Sequence, residues 1–342
     1  MSRPPDDHES ILLAHGAGGR LTHELVASRF VPALDNPILR TLTDAAVLPE
    51  LPPGRPALTT DGFVVSPPIF AGGDLGYLAV TGTVNDLAVS GARPLWMTWA
   101  LILEEGLPLE MLAVFVDGAA RAAREAGVTL VAGDTKVVPR GKGDLAFAVT
   151  TGLGVVPPGR ELGDQLIRAG DAVLLSGPAG DHGAAIMAHR HGLGGDALRS
   201  DVAPLGGLVE ALLASGARVR SMHDPTRGGV ATTCHEVAAR TGLRIDLEEE
   251  AIPVGGAARA VCEVLGLDPL YMACEGRLLA WVDPADAPRA LAALQGHPLG
   301  REAAIVGRVE PWSDGPRVTL RTPYGGRRVL DLLSGMDLPR IC

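Results

Sequence analysis

The chain has 342 residues, 46% of them hydrophobic and 20% charged, which is enough apolar material for two domains of ordinary size. Its formal net charge is −10, and no Lys/Arg cluster interleaved with aromatics interrupts the acidic balance, so a nucleic-acid partner is excluded. The start, Met1 to Glu9, is polar and acidic without the basic and apolar regions of a signal peptide, and no apolar run reaches the roughly 18 residues of a membrane span, so a cytoplasmic, unanchored protein is expected.

Glycine (44) and proline (27) fall as short punctuation between apolar runs, which points to α/β or α+β architecture with tight loops. After the leader, the apolar run Ile11–Ala14 breaks into Gly16-Ala17-Gly18-Gly19-Arg20 and a predicted helix over Leu21–Phe30. Glycines let a backbone wrap closely round an anion, although this loop is neither a dinucleotide fingerprint nor a Walker loop. Asp44 follows an apolar stretch, and Asp61 with Gly62 is expected to interrupt the strand pattern of Ala57–Val65. Each acid alone is equally well a turn residue.

The run Leu78–Ala92 predicts a helix with Asn85 and Asp86 set among apolar and small neighbours, where burial of two polar side chains is costly unless something binds them. Pro94–Leu103 reads as a strand, Met111–Ala126 as a helix stopped by Gly127, and Val128–Val138 as a buried strand with Gly133-Asp134-Thr135-Lys136 at its end. A further strand from Leu145 leads into Val155–Gly159, the best candidate linker.

Beyond it, Ala172–Gly177 reads as a strand entering a helix that ends near His191, and Gly207–Ser215 as a helix. The pair His189 and His191 is read as an exposed helix end in preference to a metal site. Met222–Gly229 brings acid, hydroxyl, guanidinium and paired glycines together before a helix running to Thr241, a ready anion site. Glu248–Glu250 reads as a solvated face. Ala273-Cys274-Glu275-Gly276 precedes the strand Leu278–Val282, then come a helix over Ala285–Leu294 and a terminal β region.

Four cysteines, with no C-x-x-C pair, are expected to be reduced. The last of them is the final residue, Cys342. A terminus tolerates any residue, but a terminal thiol is also the one thiol that can travel: from Gly335 as hinge the arm reaches at most roughly 23–25 Å, with Pro339 stiffening its tip and Arg340 placing a cation beside the sulfur. Asp44, Asp61, Asp86, Asp134 and Asp224, each at the end of an apolar segment, together suit a phosphate-bearing nucleotide held through Mg²⁺, and in the absence of a P-loop the nucleotide is expected to be ATP in another architecture.

These motifs, from the glycine loop through Thr60-Asp61-Gly62, Val84-Asn85-Asp86, Gly133-Asp134-Thr135-Lys136, Asp224–Gly229 and Ala273–Gly276 to the ending Pro339-Arg340-Ile341-Cys342, resemble the HypE family of hydrogenase maturation factors, the carbamoyl dehydratases. The likeness covers about Ile11 to Cys342; its middle motifs are common to the aminoimidazole-ribonucleotide-synthetase superfamily, and the tail marks the member. The resemblance implies a two-domain PurM-like fold: a leader (1–10), an α+β domain (11–156) whose sheet pairs with its copy in a homodimer, an α/β domain (157–334), and a flexible carrier tail (335–342). ATP would lie between the domains near the dimer interface, contacted by Gly18, Gly19, Asp44, Asp61, Asn85, Asp86, Asp134, Thr135, Asp224 and Arg227, with Mg²⁺ on Asp44, Asp61, Asp86 and Asp224.

The implied cycle has HypF carbamoylate the thiol of Cys342, ATP-dependent dehydration turn that thiocarboxamide into a thiocyanate with Lys136 and Glu275 handling protons, and a HypC–HypD complex accept the cyanide for the iron of a nickel-iron hydrogenase. Selenophosphate synthetase shares the fold but works with a reactive Cys or selenocysteine near its N-terminus, whereas the first cysteine here is Cys234. Aminoimidazole ribonucleotide synthetase or thiamine-phosphate kinase leaves Cys342 unexplained. A non-catalytic, ATP-dependent assembly scaffold is the remaining alternative.

Overall fold

The computed structural model describes residues 9–193, 197–315, 317–332 and 340–342; the leader up to residue 8, the hinge Gly335 and Pro339 lie outside them. The N-terminal half is built from β1 (Arg55–Phe63), α1 (Leu75–Val89), β2 (Arg93–Glu104), α2 (Leu109–Ala126), β3 (Thr129–Val138) and β4 (Ala146–Val156). The strands form one sheet in the order β1-β4-β2-β3, antiparallel except for β2 and β3, which α2 joins as a crossover. Along the register, Asp61 of β1 faces Thr150 of β4, Thr150 faces Trp99 of β2, and Trp99 faces Gly133 of β3.

One sequence expectation is corrected here: β1 is not broken at Asp61-Gly62 but pairs with β4 through both residues. β3 runs through Gly133, Asp134, Thr135 and Lys136 to Val138, as its sequence pattern suggests. Gly133 marks a close approach within it: a Cβ there would lie 2.5 Å from the Trp99 carbonyl oxygen.

Helix α1 begins three residues earlier than its sequence pattern suggests because Asp74 caps it, Oδ1 accepting the Tyr77 amide at 2.9 Å. An apolar helix without a polar face has to be buried on all sides, and every residue of α1 is buried except Asp86. It packs on the sheet through β1 and β4, on α2, and on the C-terminal half.

That second half comprises β5 (Ala172–Leu175), α3 (Asp181–Arg190), α4 (Gly206–Ala214), β6 (Val219–His223), α5 (Gly229–Thr241), β7 (Arg244–Glu248), α6 (Gly256–Leu265), β8 (Leu279–Val282), α7 (Ala287–Gln295), β9 (Ala304–Glu310), β10 (Val318–Arg321) and β11 (Arg327–Val329). The strands lie in the order β11-β10-β7-β9-β5-β8-β6, with apolar layers on both faces, one closed by α5 and the other by α4 and α7. Sequence reading passed over β7 and α6: the acidic run after Leu247 masked a strand whose Ile245 and Leu247 are core residues. No helix among the described residues is long and apolar enough to cross a membrane.

Asn85 joins the halves. Its Nδ2 donates to the carbonyls of Ala203 and Glu275, both at 3.1 Å, and its Oδ1 accepts the Leu205 amide at 2.7 Å. Those three bonds make Asn85 an interdomain staple that also fixes the backbone of Glu275 and account for its burial without a ligand.

Candidate active site

Asp86, the one open residue of α1, faces the end of β1 and the segment after β6. Its Oδ2 accepts from Thr59 at 2.9 Å, while Thr83 donates to Asp61 at 3.2 Å. Burial, and then the neighbouring Asp61, which shares a hydrogen bond with it, raise the Asp86 carboxyl above the usual carboxylate range. Asp224, carried between β6 and the glycine turn of α5, is raised in the same direction by burial and by Asp86 and Asp61. Three carboxylates from three elements thus crowd together. Asp86 and Asp224 also line an open cleft of about 640 Å³, floored by Leu87, Leu162 and Met222 and rimmed by Asp164, His223 and Arg240. Asp164 is fixed there by Ser221 (2.7 Å), His223 (2.8 Å) and Arg240, and these contacts hold its carboxyl well below the usual range against the opposing effect of burial.

Deeper lie Glu275 and Cys342. Glu275 is 2% exposed, its Oε1 has no hydrogen-bond partner among the described residues, and its backbone amide donates to Asp201 Oδ1 at 3.0 Å. Burial, then the charges of Asp224 and Asp201, push its carboxyl far above the carboxylate range, with Arg227 opposing. A carboxylate so raised is a much stronger base than a free one. The chain terminus is docked against it: Cys342 is 7% and Ile341 5% exposed, and both belong to the N-terminal core. Burial and then Glu275 push the Cys342 thiol up to about 12, with Arg227 opposing. Beside the thiol a pocket of about 190 Å³ remains, lined by Val64, Arg227, Tyr271 and Ala273.

The tip runs antiparallel to the chain just past β1, with the Val64 amide on the Cys342 carbonyl at 3.3 Å and the Ser66 amide on the Arg340 carbonyl at 3.2 Å. Arg340 returns a bond from Nε to the Val64 carbonyl at 3.1 Å and pairs with Asp144. Burying Ile341 contributes roughly 2 kcal/mol, while ordering each backbone residue costs about 1–2 kcal/mol. Hydrogen bonds to the tip therefore decide whether it stays.

The other predicted residues lie elsewhere. Gly18, Asp44, Asp134, Thr135 and Lys136 line a second cavity of about 350 Å³ over β3 and the helical run from Arg20. Gly18 has φ +75, a conformation that favours glycine, and its amide donates to Thr22 Oγ1 at 3.0 Å; Gly19 caps the helix and is exposed. Lys136 pairs with Asp134 at 2.9 Å, and both side chains are more than half exposed. Lys136 is not brought to Glu275 within one chain, because Asp61 and β3 stand at opposite edges of the sheet; three strand spacings amount to roughly 14 Å, more than a lysine side chain spans. Asp44 likewise does not join Asp61, Asp86 and Asp224. His182, Arg190 and Asp201, which hold the tail and the Glu275 loop, were not singled out by sequence, since their partners are mostly backbone groups distant in the chain.

This two-domain chain belongs to the AIR synthase related proteins. The N-terminal domain model of that family matches residues 42–156 and the C-terminal one residues 168–318. The chain is 51% identical to the carbamoyl dehydratase HypE of Azotobacter vinelandii over the full length of both. Among solved structures, a hydrogenase maturation protein HypE in complex with ATP is 44% identical at TM-score 0.92, covering 97% of this chain and 99% of the other. The HypE chain of a HypE–HypF complex matches at TM-score 0.78 and 43% identity, covering 92% and 100%. Within the AIR synthase related class, the chain belongs to the carbamoyl dehydratase HypE family of hydrogenase maturation enzymes.

Proposed function

We propose that this enzyme dehydrates a carbamoyl group carried on its own Cys342 to a thiocyanate, accepting the group from a HypF carbamoyltransferase and yielding cyanide to a HypC–HypD complex for a nickel-iron hydrogenase. The observation that carries this reading is the buried terminal thiol close to Glu275, a buried carboxyl whose Oε1 has no hydrogen-bond partner among the described residues. Asp61, Asp86 and Asp224 do not form a ready three-ligand metal cluster among the described residues, but a hard cation would relieve their mutual repulsion, and Mg²⁺ characteristically links carboxylates to nucleotide phosphates that would complete its ligands. ATP bound through that ion would supply the phosphoryl group that makes the amide oxygen a competent leaving group. Arg227 lies by the sulfur and offsets negative charge there, and Glu275 takes one of the two protons that leave the carbamoyl nitrogen, the other leaving with the phosphate as the C≡N bond forms. A neutral thiol does not attack a carbamoyl donor, so charging takes place with the tail displaced into solvent.

Lys136, Asp44 and the glycine loop enter through a second copy of the chain. The outer face of the N-terminal sheet supports this, because Leu58 is 72% and Val149 41% exposed beside half-buried Trp96, Ile102 and Phe147. An isologous dimer over that face covers it and sets a β3 edge near the partner's β1.

Mass spectrometry of the tail peptide after incubation with HypF, carbamoyl phosphate and ATP tests the reaction: a thiocarboxamide that then loses one water is expected, and a carbamoyl adduct unchanged by ATP refutes it. Subunit mixing tests the shared site. Lys136→Ala and Glu275→Gln proteins, inactive alone, are expected to recover about a quarter of the parental rate when randomly reassembled as dimers. No recovery in verified mixed dimers refutes a site shared between copies.

A further inference from the structure

The docked tip is held by more than its pairing with the chain past β1. His182, in the first turn of α3, is fully buried, edge-on to Phe70 with ring centroids 5.4 Å apart. Its Nε2 lies 2.9 Å from the carbonyl of Ile341, the residue before the thiol, and its Nδ1 lies 2.7 Å from Ser200 Oγ. A carbonyl only accepts, so the proton sits on Nε2 and Ser200 donates to Nδ1. Burial lowers the imidazole pKa and keeps this neutral tautomer. Ser200 precedes Asp201, whose Oδ1 accepts the Glu275 amide at 3.0 Å, and Ala203, whose carbonyl shares Asn85 with that of Glu275. One imidazole thus touches the tail on one side and the loop that sets Glu275 on the other.

We propose that His182 is a positioning residue for Cys342: its Nε2–H seats the tail at the Ile341 carbonyl, and its bond to Ser200 ties the seat to the loop that positions Glu275. The inference rests on Cys342 being the carrier only for its purpose; the seat itself is read without any reaction. Because the seat grips a backbone carbonyl, it is indifferent to whether the sulfur bears hydrogen, carbamoyl or cyanide, so the same seat serves the charged and the uncharged tail.

The test is the rate at which a small maleimide modifies Cys342 in the full chain, read peptide by peptide. Cys274 serves as internal control, because the amide of Gly180, two residues before His182, donates to its sulfur at 3.1 Å. His182→Ala is expected to raise Cys342 modification about tenfold, the scale of one lost buried hydrogen bond, without modifying Cys274. His182→Gln, whose amide offers a donor near the Nε2 position, is expected to return the rate toward that of the parent. If His182→Ala does not fold, Ser200→Ala is expected to give a smaller rise of the same kind. An unchanged rate overturns the proposal. So does a parallel rise at Cys274, which signals general loosening of α3, or a glutamine variant as fast as the alanine one. A seat lost together with normal thiocarboxamide dehydration overturns the link to Glu275, whereas a missing carbamoyl adduct in the parent refutes the carrier reading alone.

Discussion

The pocket around Cys342 and the cavity around Lys136 flank opposite edges of one four-stranded sheet, and they are built differently. At the β1 edge the acids are half or fully buried, come from three elements, and perturb one another's protonation; Glu275 is 2% exposed and its Oε1 has no hydrogen-bond partner among the described residues. At the β3 edge Lys136 and Asp134 form an ion pair more than half exposed, a kind worth about 0–1 kcal/mol. One region is organised within the chain. The other has its groups at the surface, facing where a second copy would cover them.

Breaking the first region is expected to have the largest effect. Cys342→Ala removes the group that is modified, so formation of both thiocarboxamide and thiocyanate is expected to vanish while Mg·ATP binding by calorimetry stays within about twofold, the nucleotide being held by other residues. Hydrogenase cyanation supported by the alanine protein rules out the carrier role. Glu275→Gln separates the two chemical steps. It is expected to accept carbamoyl normally and then convert it about 10²–10⁴ times more slowly, the usual contribution of a positioned base. Rapid conversion by that variant in a single-turnover mass measurement removes Glu275 from the chemistry. If Lys136→Ala stalls at the same stage, the two regions act on one reaction despite their separation in the monomer.

Such separation explains what sequence could and could not reveal. Asp61, Asp86 and Asp224 were visible because charge beside long apolar runs is costly, and the structure brings them together. Asn85 was visible by the same signal and is an interdomain staple: composition shows that a buried amide needs partners, not whether they are ligand or backbone. β1 was misjudged at Asp61-Gly62, where the chain stays extended and paired with β4 although an acid and a glycine interrupt the apolar pattern. His182 left no trace, because a histidine two residues after a glycine looks the same whether it faces solvent or the Ile341 carbonyl. The split of the expected nucleotide set between two cavities depends on strand order, and a one-dimensional reading of motifs has no access to that order.

A smaller effect sharpens the comparison by setting function against stability. In Asp86→Asn the repulsion with Asp61 and Asp224 falls, so the metal-free protein is expected to melt a few degrees higher while Mg·ATP affinity drops about 100-fold, near 2.7 kcal/mol. The folded-state pKa values of Asp86 and Asp224 are raised, so their neutral forms favour the fold at acid pH. Parental stability without metal should accordingly decline from about pH 4 as the pH rises through the folded-state values, and the decline should be shallower in the variant. A lower melting temperature at pH 7.5 for Asp86→Asn, or unchanged nucleotide affinity, contradicts this account.

The smallest expected effect concerns the tail itself. In its seat the Cys342 thiol is raised to about 12 from the ordinary value near 9, by burial first and by Glu275 second, with Arg227 opposing. A raised pKa in the docked state means that docking is fully favourable below the free thiol's pKa and weakens as the pH climbs above it, because the thiolate is better solvated outside. Maleimide modification of Cys342, divided by the thiolate fraction of a free tail peptide, should be flat up to about pH 8.5 and then climb by up to tenfold per pH unit while the protein remains folded. A flat ratio through pH 10 means that the sulfur is not desolvated in the seat. A ratio that falls as the pH rises from 7 means that Arg227 outweighs burial and Glu275, and the docked thiol is then reactive where it lies.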